Sequence, residues 1–278
     1  MVWSCLVSIL PGMAQTEKLT DYVNPFVGTD GYGNVYPGAQ IPFGGIQISP
    51  DTDSRFYDAA SGYKYNHLTL MGFSLTHLSG TGIPDLGDFL FIPGTGEMKL
   101  EPGTHEDPDQ GYRSRYSHDK EWASPNYYAV ELADYGVKAE MTSGVRSGMF
   151  RFTYPESDNA FIMIDMNHTL WQSCEWSNLR MINDSTITGY KLVKGWGPER
   201  HVYFTATFSK KLTGLRFVQD KKPVIYNTSR FRSSYEAWGK NLMACISFDT
   251  KAGEEVTVKT AISAVSTCLL YTSPSPRD

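Results

Sequence analysis

The chain has 278 residues, of which 41% are hydrophobic and 20% are charged. These values are ordinary for a globular protein and provide enough chain for one large domain or two small ones. The formal net charge of -5 provides no global attraction to nucleic acid or to an anionic membrane.

Residues 1–18 are interpreted as a leader or a partial signal peptide. Val2–Leu10 is a short apolar run, and Pro11–Ala14 follows it with small residues. This pattern is typical of the end of a secretory signal with cleavage near Ala14, although it lacks a basic start. The run is too short to span a bilayer, and no later stretch is long enough. The alternative is a floppy leader or a misread start codon.

Glycine and aromatic residues are concentrated between Gly28 and Pro93. Glycine allows a positive φ and a close approach of the backbone to a ligand. Aromatic rings offer flat apolar faces, and the Asp, Asn, His and Ser residues between them offer short polar tips. Such a surface suits a sugar, which has an apolar C–H face and a rim of hydroxyls. The alternative is a set of packed turns without a ligand.

Short apolar or alternating runs follow one another between turn signals, and these runs predict β-strands. The predicted strands are Gly45–Ser49, Leu70–Ser74, Phe89–Pro93, Tyr127–Leu132, Val137–Thr142, Gly148–Tyr154, Ala160–Asp165, Thr186–Val193, Val202–Phe208, Leu215–Val218, Leu242–Phe248 and Val256–Ala264. Alternation with a period of two buries one face of a strand and exposes the other. The sequence therefore predicts an all-β fold, a large antiparallel β-sandwich with long glycine-rich loops, over residues 19–267.

Two segments depart from this strand pattern. Ser229–Lys240 is the best candidate for a short helix, and Gly94–Ser117 is polar and rich in glycine and proline. Gly94–Ser117 is predicted to be a long loop, and long loops in compact domains often carry function.

The last residues, Cys268–Asp278, read CLLYTSPSPRD and resemble a translated sequencing adapter more than protein. The natural chain is therefore expected to continue differently after Thr267. Without the two ends, Cys174 and Cys245 are the cysteines that remain, with no metal-binding spacing. A single disulfide between them and two buried free thiols both stay open.

His77 is followed closely by Asp85 and Asp88, but no nucleophile elbow accompanies them, so a hydrolase triad is not indicated. A polar pocket, in which these side chains bind hydroxyls, fits better; the alternative is that they satisfy buried turns. Trp196 lies on a Gly-Pro turn and is the best candidate for stacking on a sugar. The other tryptophans considered for this role are Trp122, Trp171, Trp176 and Trp238.

Hydrolysis of a glycosidic bond needs two positioned carboxyl groups. The chain has 30 acidic residues, and their spacing singles out no pair. Residue chemistry alone therefore leads to an exported β-sandwich, for which sugar binding and packed turns without a ligand both stay open. Asp30–Asn34 has too few carboxylates to predict a metal loop, so metal ligands stay unknown.

Several short motifs are distributed along the first half of the chain. They are Asn24–Thr29 (NPFVGT), Tyr36–Ala39 (YPGA), Pro42–Gly44 (PFG), Gln47–Thr52 (QISPDT), Ser61–Tyr63 (SGY), Thr76–Gly82 (THLSGTG), Tyr116–His118 (YSH), Ala123–Pro125 (ASP) and Asp134–Val137 (DYGV). Together they resemble glycoside hydrolase family 92. The match runs from about Asp21 to Thr267.

The resemblance implies a calcium-dependent exo-α-mannosidase that inverts the anomeric centre, acts on N-glycans or mannan and is exported to the periplasm, the cell surface or the medium. It also implies a mutarotase-like supersandwich followed by an (α/α)6 barrel that carries the catalytic acid and base. The chain matches the sandwich alone, so no catalytic residue is expected in it. The calcium ligands are not expected here either, and the expected partners are a mannoside and the barrel domain.

By this resemblance, Tyr57, Asp58, His77, Ser79 and Asp85 are expected to contact the substrate or to brace the loops that do, with Trp196 as an additional candidate. Many family members have Trp-Asp where this chain has Tyr57-Asp58, which leaves the mannose linkage open. Leu75 also replaces a histidine that is frequent in the family. The alternatives are a stand-alone carbohydrate-binding module and a structural scaffold domain.

Overall fold

The computed structural model describes residues 18–54, 57–224 and 236–267. Within these ranges the chain forms eighteen strands and four short 3-10 helices. The strands are β1 Ser49–Asp51, β2 Thr69–Leu70, β3 Gly72–Ser74, β4 Leu90–Thr95, β5 Ser114–Arg115, β6 Glu121–Ser124, β7 Tyr127–Leu132, β8 Val137–Ser143, β9 Ser147–Tyr154, β10 Ser157–Asp165, β11 Ser173–Asn183, β12 Thr186–Lys194, β13 Arg200–Phe208, β14 Gly214–Gln219, β15 Lys222–Pro223, β16 Glu236–Gly239, β17 Leu242–Thr250 and β18 Glu254–Ser263. The 3-10 helices are Leu19–Tyr22, Tyr57–Ala59, Pro108–Gln110 and His118–Lys120.

Two large antiparallel sheets build the fold. One has seven strands in the order β1-β3-β4-β10-β17-β14-β15, and the other has nine in the order β16-β11-β12-β13-β18-β9-β8-β7-β6. The short strands β2 and β5 pair with each other in a third sheet. This architecture confirms the predicted all-β antiparallel sandwich.

The main core lies between the two sheets, where alternate side chains of each strand point inward. In β9, Phe150 and Phe152 are fully buried, while Arg151 between them is exposed. The ring of Phe150 lies 4.9 Å from that of Phe91 on β4, in the opposite sheet. Since interlocking aromatic rings bury large apolar areas, these contacts hold the two sheets together.

A second apolar layer covers the other face of the seven-stranded sheet. Met163 and Cys245 belong to it, and Met98, Leu100 and Tyr112 pack against it from the segment that connects β4 to β5. The predicted loop Gly94–Ser117 is thus partly a cover for this face of the sheet. It contains the end of β4, one turn of 3-10 helix and β5.

The helix predicted over Ser229–Lys240 is wrong where it can be compared with the structure. Glu236–Gly239 is strand β16, paired with β11, and residues 229–235 lie outside the described residues. Tertiary pairing overrode the local preference because an edge strand completes the hydrogen bonds of β11. Cys174 and Cys245 are both buried free thiols, so the second of the two open alternatives holds.

Sequence reasoning also missed strand β11, Ser173–Asn183, whose polar residues hide its alternation. Over 18–54, 57–224 and 236–267, no helix has both the length and the apolar character needed to cross a bilayer. Residues 1–17 of the predicted leader 1–18, and the predicted adapter-like tail 268–278, lie outside the described residues.

Candidate functional site

A buried carboxylate, Asp51, lies between two histidines where three loops meet. Asp51 ends β1, His77 follows β3 and His168 follows β10. The Nε2 atoms of both histidines lie 2.8 Å from the Asp51 carboxylate, one on each oxygen. His77 Nδ1 lies 2.8 Å from the Gln47 carbonyl oxygen. Both ring nitrogens of His77 therefore lie against acceptor oxygens, one of the Gln47 carbonyl and one of the Asp51 carboxylate.

Burial alone raises the pKa of Asp51, but the charge and hydrogen bond of His77 and those of His168 outweigh it. The pKa of Asp51 is therefore held well below its usual range. This carboxylate stays ionised and has both oxygens occupied, so it braces the loops and does not donate protons.

A second buried carboxylate, Asp88, joins the loop before β4 to strands β12 and β13. It pairs with Lys191 Nζ at 3.1 Å and Arg200 Nη1 at 2.5 Å, and it accepts a hydrogen bond from Thr76 Oγ1 at 2.7 Å. Lys191 Nζ also donates to the His168 carbonyl at 2.6 Å, which links the two networks. Burial raises the pKa of Asp88, yet Lys191 and Arg200 more than reverse this and lower it.

Two exposed rings lie beside these networks. The ring centroids of Tyr57 and Trp171 are 5.7 Å apart at an interplanar angle of 56°. The two side chains are 57% and 58% exposed, so their remaining faces are available to a ligand. Trp171 has a φ of 75°, which is unusual for a bulky residue and costs energy that the surrounding structure must offset.

Neighbouring bonds hold Trp171 in this conformation. Leu170 N–H donates to the Leu86 carbonyl at 2.9 Å, and Thr169 Oγ1 donates to the Gln172 carbonyl at 2.8 Å. Gln172 Nε2 in turn donates to the Pro84 carbonyl at 2.8 Å. The backbone around Trp171 is therefore positioned by the loop that contains Asp85 and Asp88.

A cleft of about 1030 Å³ adjoins Trp171. Asp165, Asn167, His168 and Gln172 line it together with Trp171. Burial raises the pKa of Asp165, and the opposing charge of His168 does not cancel this effect. The cleft thus combines one aromatic wall with amide, imidazole and carboxyl groups, a combination that suits a hydroxylated ligand.

Trp196 lies in the turn between β12 and β13 and is exposed. Its backbone N–H donates to Asp85 Oδ2 over 3.4 Å, and Asp85 Oδ1 accepts from the Leu86 N–H at 2.6 Å. Asp85 is buried, so it fixes two turns and leaves the Trp196 ring free to face solvent.

The predicted site residues thus differ in accessibility. Tyr57, Ser79 and Trp196 are exposed, whereas His77 and Asp85 are buried among protein partners. The geometry of His77 and Asp85 matches the bracing role, one of the two roles that the sequence left open. The side chain of Asp58 lies outside the described residues.

Sequence reasoning did not single out Trp171, His168 or Lys191. Trp171 was one of several tryptophans with no distinguishing signal, and His168 stood in an unremarkable tripeptide. Lys191 interrupts an apolar alternation at an inward position, and this break in the pattern is a signal that identifies a buried charge.

The described part of the chain contains no group of three or more His, Cys, Asp or Glu residues arranged to hold a metal ion.

The model of the family "Glycosyl hydrolase family 92 N-terminal domain" matches residues 22–263. The chain therefore belongs to this family. An "uncharacterized secreted glycosidase" of the fungus Arthroderma benhamiae is 30% identical over 139 residues, which are 49% of this chain and 17% of that protein.

Solved structures of the same family share the fold. A family 92 alpha-mannosidase from Bacteroides thetaiotaomicron is 98% identical, with a TM-score of 0.90 over 92% of this chain and 35% of that one. A second family 92 hydrolase is 25% identical, with a TM-score of 0.72 over 88% of this chain and 32% of that one. An inverting mannosidase from B. thetaiotaomicron is 24% identical, with a TM-score of 0.72 over 90% of this chain and 32% of that one. The chain thus spans about a third of the length of these solved relatives.

Proposed function

We propose that this chain is the sugar-pocket domain of an exported exo-α-mannosidase that acts on mannose-containing glycans. In this proposal it forms one wall of the pocket, and an (α/α)6 domain elsewhere in the full protein supplies the catalytic acid and base. Family membership supports the reaction class, and the 98% identical relative, an alpha-mannosidase, supports mannose as the sugar.

The single observation that carries the proposal is the pair of exposed, neighbouring rings of Tyr57 and Trp171. Aromatic faces stack on the C–H face of a sugar ring, and they do so best when they are already in place before binding. The hydrogen bonds of Thr169, Leu170 and Gln172 hold the backbone around Trp171 in place.

The described carboxylates at these loops are poorly suited to catalysis. A glycosidase acid must hold a proton near neutral pH, whereas Asp51 and Asp88 are held ionised by buried cations. Asp165 has a raised pKa, and Glu101 and Asp220 also line its cleft, but the family resemblance assigns the acid and the base to the (α/α)6 domain. We therefore propose that the chain alone is inactive.

Calcium dependence and inversion enter the proposal through the family resemblance. By the same resemblance, we propose that the calcium ligands lie in the (α/α)6 domain of the full protein. Export is supported by the apolar run Val2–Leu10 and by a relative described as secreted. The mannose linkage is left open, since Tyr57 has a smaller stacking face than tryptophan.

A stand-alone carbohydrate-binding module is the second candidate function. The open cleft beside Trp171 favours it, because sugar binding needs no catalytic carboxyl pair. This candidate requires that the 278-residue chain bind mannosides by itself, with an affinity measurable by titration calorimetry.

The decisive experiment joins this chain to the remaining two thirds of the B. thetaiotaomicron mannosidase, in place of the corresponding N-terminal segment. We expect the chimera to hydrolyse α-mannosides and the 278-residue chain to show no turnover. Tyr57→Ala and Trp171→Ala should each lower kcat/KM roughly tenfold, mainly through KM, because each removes one stacking face.

Trp122→Ala is the matched control, since Trp122 is 45% exposed on β6 but lies on the far edge of the nine-stranded sheet. Turnover by the isolated chain would contradict the absence of acid and base. Unchanged kinetics in both loop variants would contradict the assigned pocket wall.

A further inference from the structure

The outer face of the nine-stranded sheet carries a row of aromatic side chains that the proposed pocket does not use. The register aligns Trp238, Asn178, Tyr190 and Tyr203 across β16, β11, β12 and β13. A second row places Trp176 beside Leu192 and His201. We call these two rows the aromatic platform.

The aromatic platform points to solvent. Inward residues of the same strands, such as Leu179, Ile187 and Phe204, belong to the core between the sheets. Since side chains alternate along a strand, the platform residues lie on the opposite face. Trp176 and Trp238 are 46% and 54% exposed there.

Neighbouring rings hold one another in place. The centroid of Tyr190 lies 4.9 Å from that of Tyr203 and 5.9 Å from that of His201. The Tyr190 hydroxyl and His201 Nδ1 are also hydrogen-bonded at 3.0 Å. Rings ordered in this way lose little conformational entropy when a ligand lies across them.

Most of the charges around the platform are paired. Arg180 and Glu236 are cross-strand neighbours, and Lys240 Nζ pairs with Glu175 at 3.3 Å. Exposed Lys194 on β12 is a further cation beside these pairs, and one additional cation is a weak attraction for a polyanion. The platform suits a neutral ligand with both apolar faces and hydroxyl groups.

The aligned rings form a narrow strip across four strands. Four adjacent strands span roughly 14 Å, and the two rows are about 7 Å apart. A strip of this shape suits a linear polymer that lies along it. A flat row of rings also lacks the concave walls that enclose a single sugar.

We propose that the aromatic platform is a second carbohydrate site, which binds the chain of a neutral polysaccharide away from the pocket at Tyr57 and Trp171. Trp176 and Trp238 stack on successive sugar faces, and His201 and Tyr190 contribute polar edges. Mannan is chosen as the first ligand because of the proposed function. The geometry of the platform is independent of that proposed function.

Affinity gel electrophoresis of the 278-residue chain tests this site, with yeast α-mannan, dextran or heparin in the gel. We expect mannan, and not heparin, to retard the wild-type chain. Trp176→Ala/Trp238→Ala should weaken binding about tenfold or more, because two stacking faces are lost. Trp122→Ala is the matched exposed-tryptophan control and should bind like the wild type.

Circular dichroism melting shows whether the double variant is folded, and Trp176→Phe/Trp238→Phe should retain part of the binding. No retardation by either neutral polysaccharide, or an equal loss in Trp122→Ala, would overturn the proposal. Sedimentation velocity tests a competing role for this face. If the wild type is a dimer and the double variant is a monomer, the face binds a second copy of the chain, and the proposal is overturned. None of these results depends on turnover by the chimera, so the two proposals fail separately.

Discussion

At the scale of single residues, Gly62 shows how tightly the Asp51 network is enclosed. Gly62 has a φ of +87°, and a Cβ atom added to it would lie 2.1 Å from Asp51 Oδ1 and 3.2 Å from the His77 ring. Its carbonyl also accepts a hydrogen bond from Thr52 N–H at 2.6 Å. Any side chain at Gly62 must therefore displace the buried carboxylate.

We expect Gly62→Ala to destabilise the fold by about 3 kcal/mol or more, because it combines left-handed strain with disruption of a buried ion pair. Gly96→Ala is the matched control, since Gly96 has a φ of +84° and open space around it. It should cost only about 1 kcal/mol from strain. Urea unfolding measures both variants, and equal losses would show that the Asp51 network tolerates displacement.

At the scale of elements, one lysine ties strand β12 to the loop before β4. Lys191 is fully buried and points inward, with its Nζ between Asp88 Oδ1 at 3.1 Å and the His168 carbonyl at 2.6 Å. A buried cation without its partner is costly, and so is a buried anion. Lys191 therefore holds the loop of Asp88 and the loop of His168 against strand β12.

We expect Lys191→Met to destabilise the fold by about 3 kcal/mol, since it removes one of two cations from a buried carboxylate. Asp88→Asn should cost a similar amount, and the double variant should cost clearly less than the sum. Guanidinium unfolding of all four proteins gives this double-mutant cycle. An additive result would mean that the two side chains contribute independently.

At the scale of the whole molecule, the two buried carboxylates make stability depend on pH. The pKa values of Asp51 and Asp88 are lowered in the folded state, so below the unfolded value of about 3.9 the unfolded chain binds more protons. Their contribution is present above pH ~5 and is lost as the pH falls toward the folded-state pKa.

We therefore expect the free energy of unfolding to fall by on the order of 2 kcal/mol per carboxylate between pH 5 and acid conditions. Asp51→Asn should be less stable than the wild type at pH 7, and this difference should shrink toward pH 3. Exposed Asp158→Asn is the control and should follow the wild-type curve. A difference for Asp51→Asn that stays constant with pH would refute this assignment.

Local patterns were sufficient for most of the architecture. Tyr127–Leu132 was predicted with the bounds that the structure has, because it is a short apolar run between turn signals. Polar residues concealed the alternation of Ser173–Asn183, and pairing with β11 made Glu236–Gly239 a strand against its local pattern. Exposed loop rings such as Tyr57 and Trp196 were recognisable as candidates, since aromatic residues beside glycine and proline stand out in any sequence.

By itself, the sequence determined the class of the fold and, through its motifs, the family, because strand alternation and turn chemistry are local properties of the chain. The tertiary structure alone decided which polar groups meet. Asp51 lies 26 positions from His77 and 117 from His168 in the sequence. No hydrophobic periodicity or motif spacing in the sequence predicts contacts over such separations. Packing of the two sheets brings these loops to one end, where burial forces each charge to find a partner.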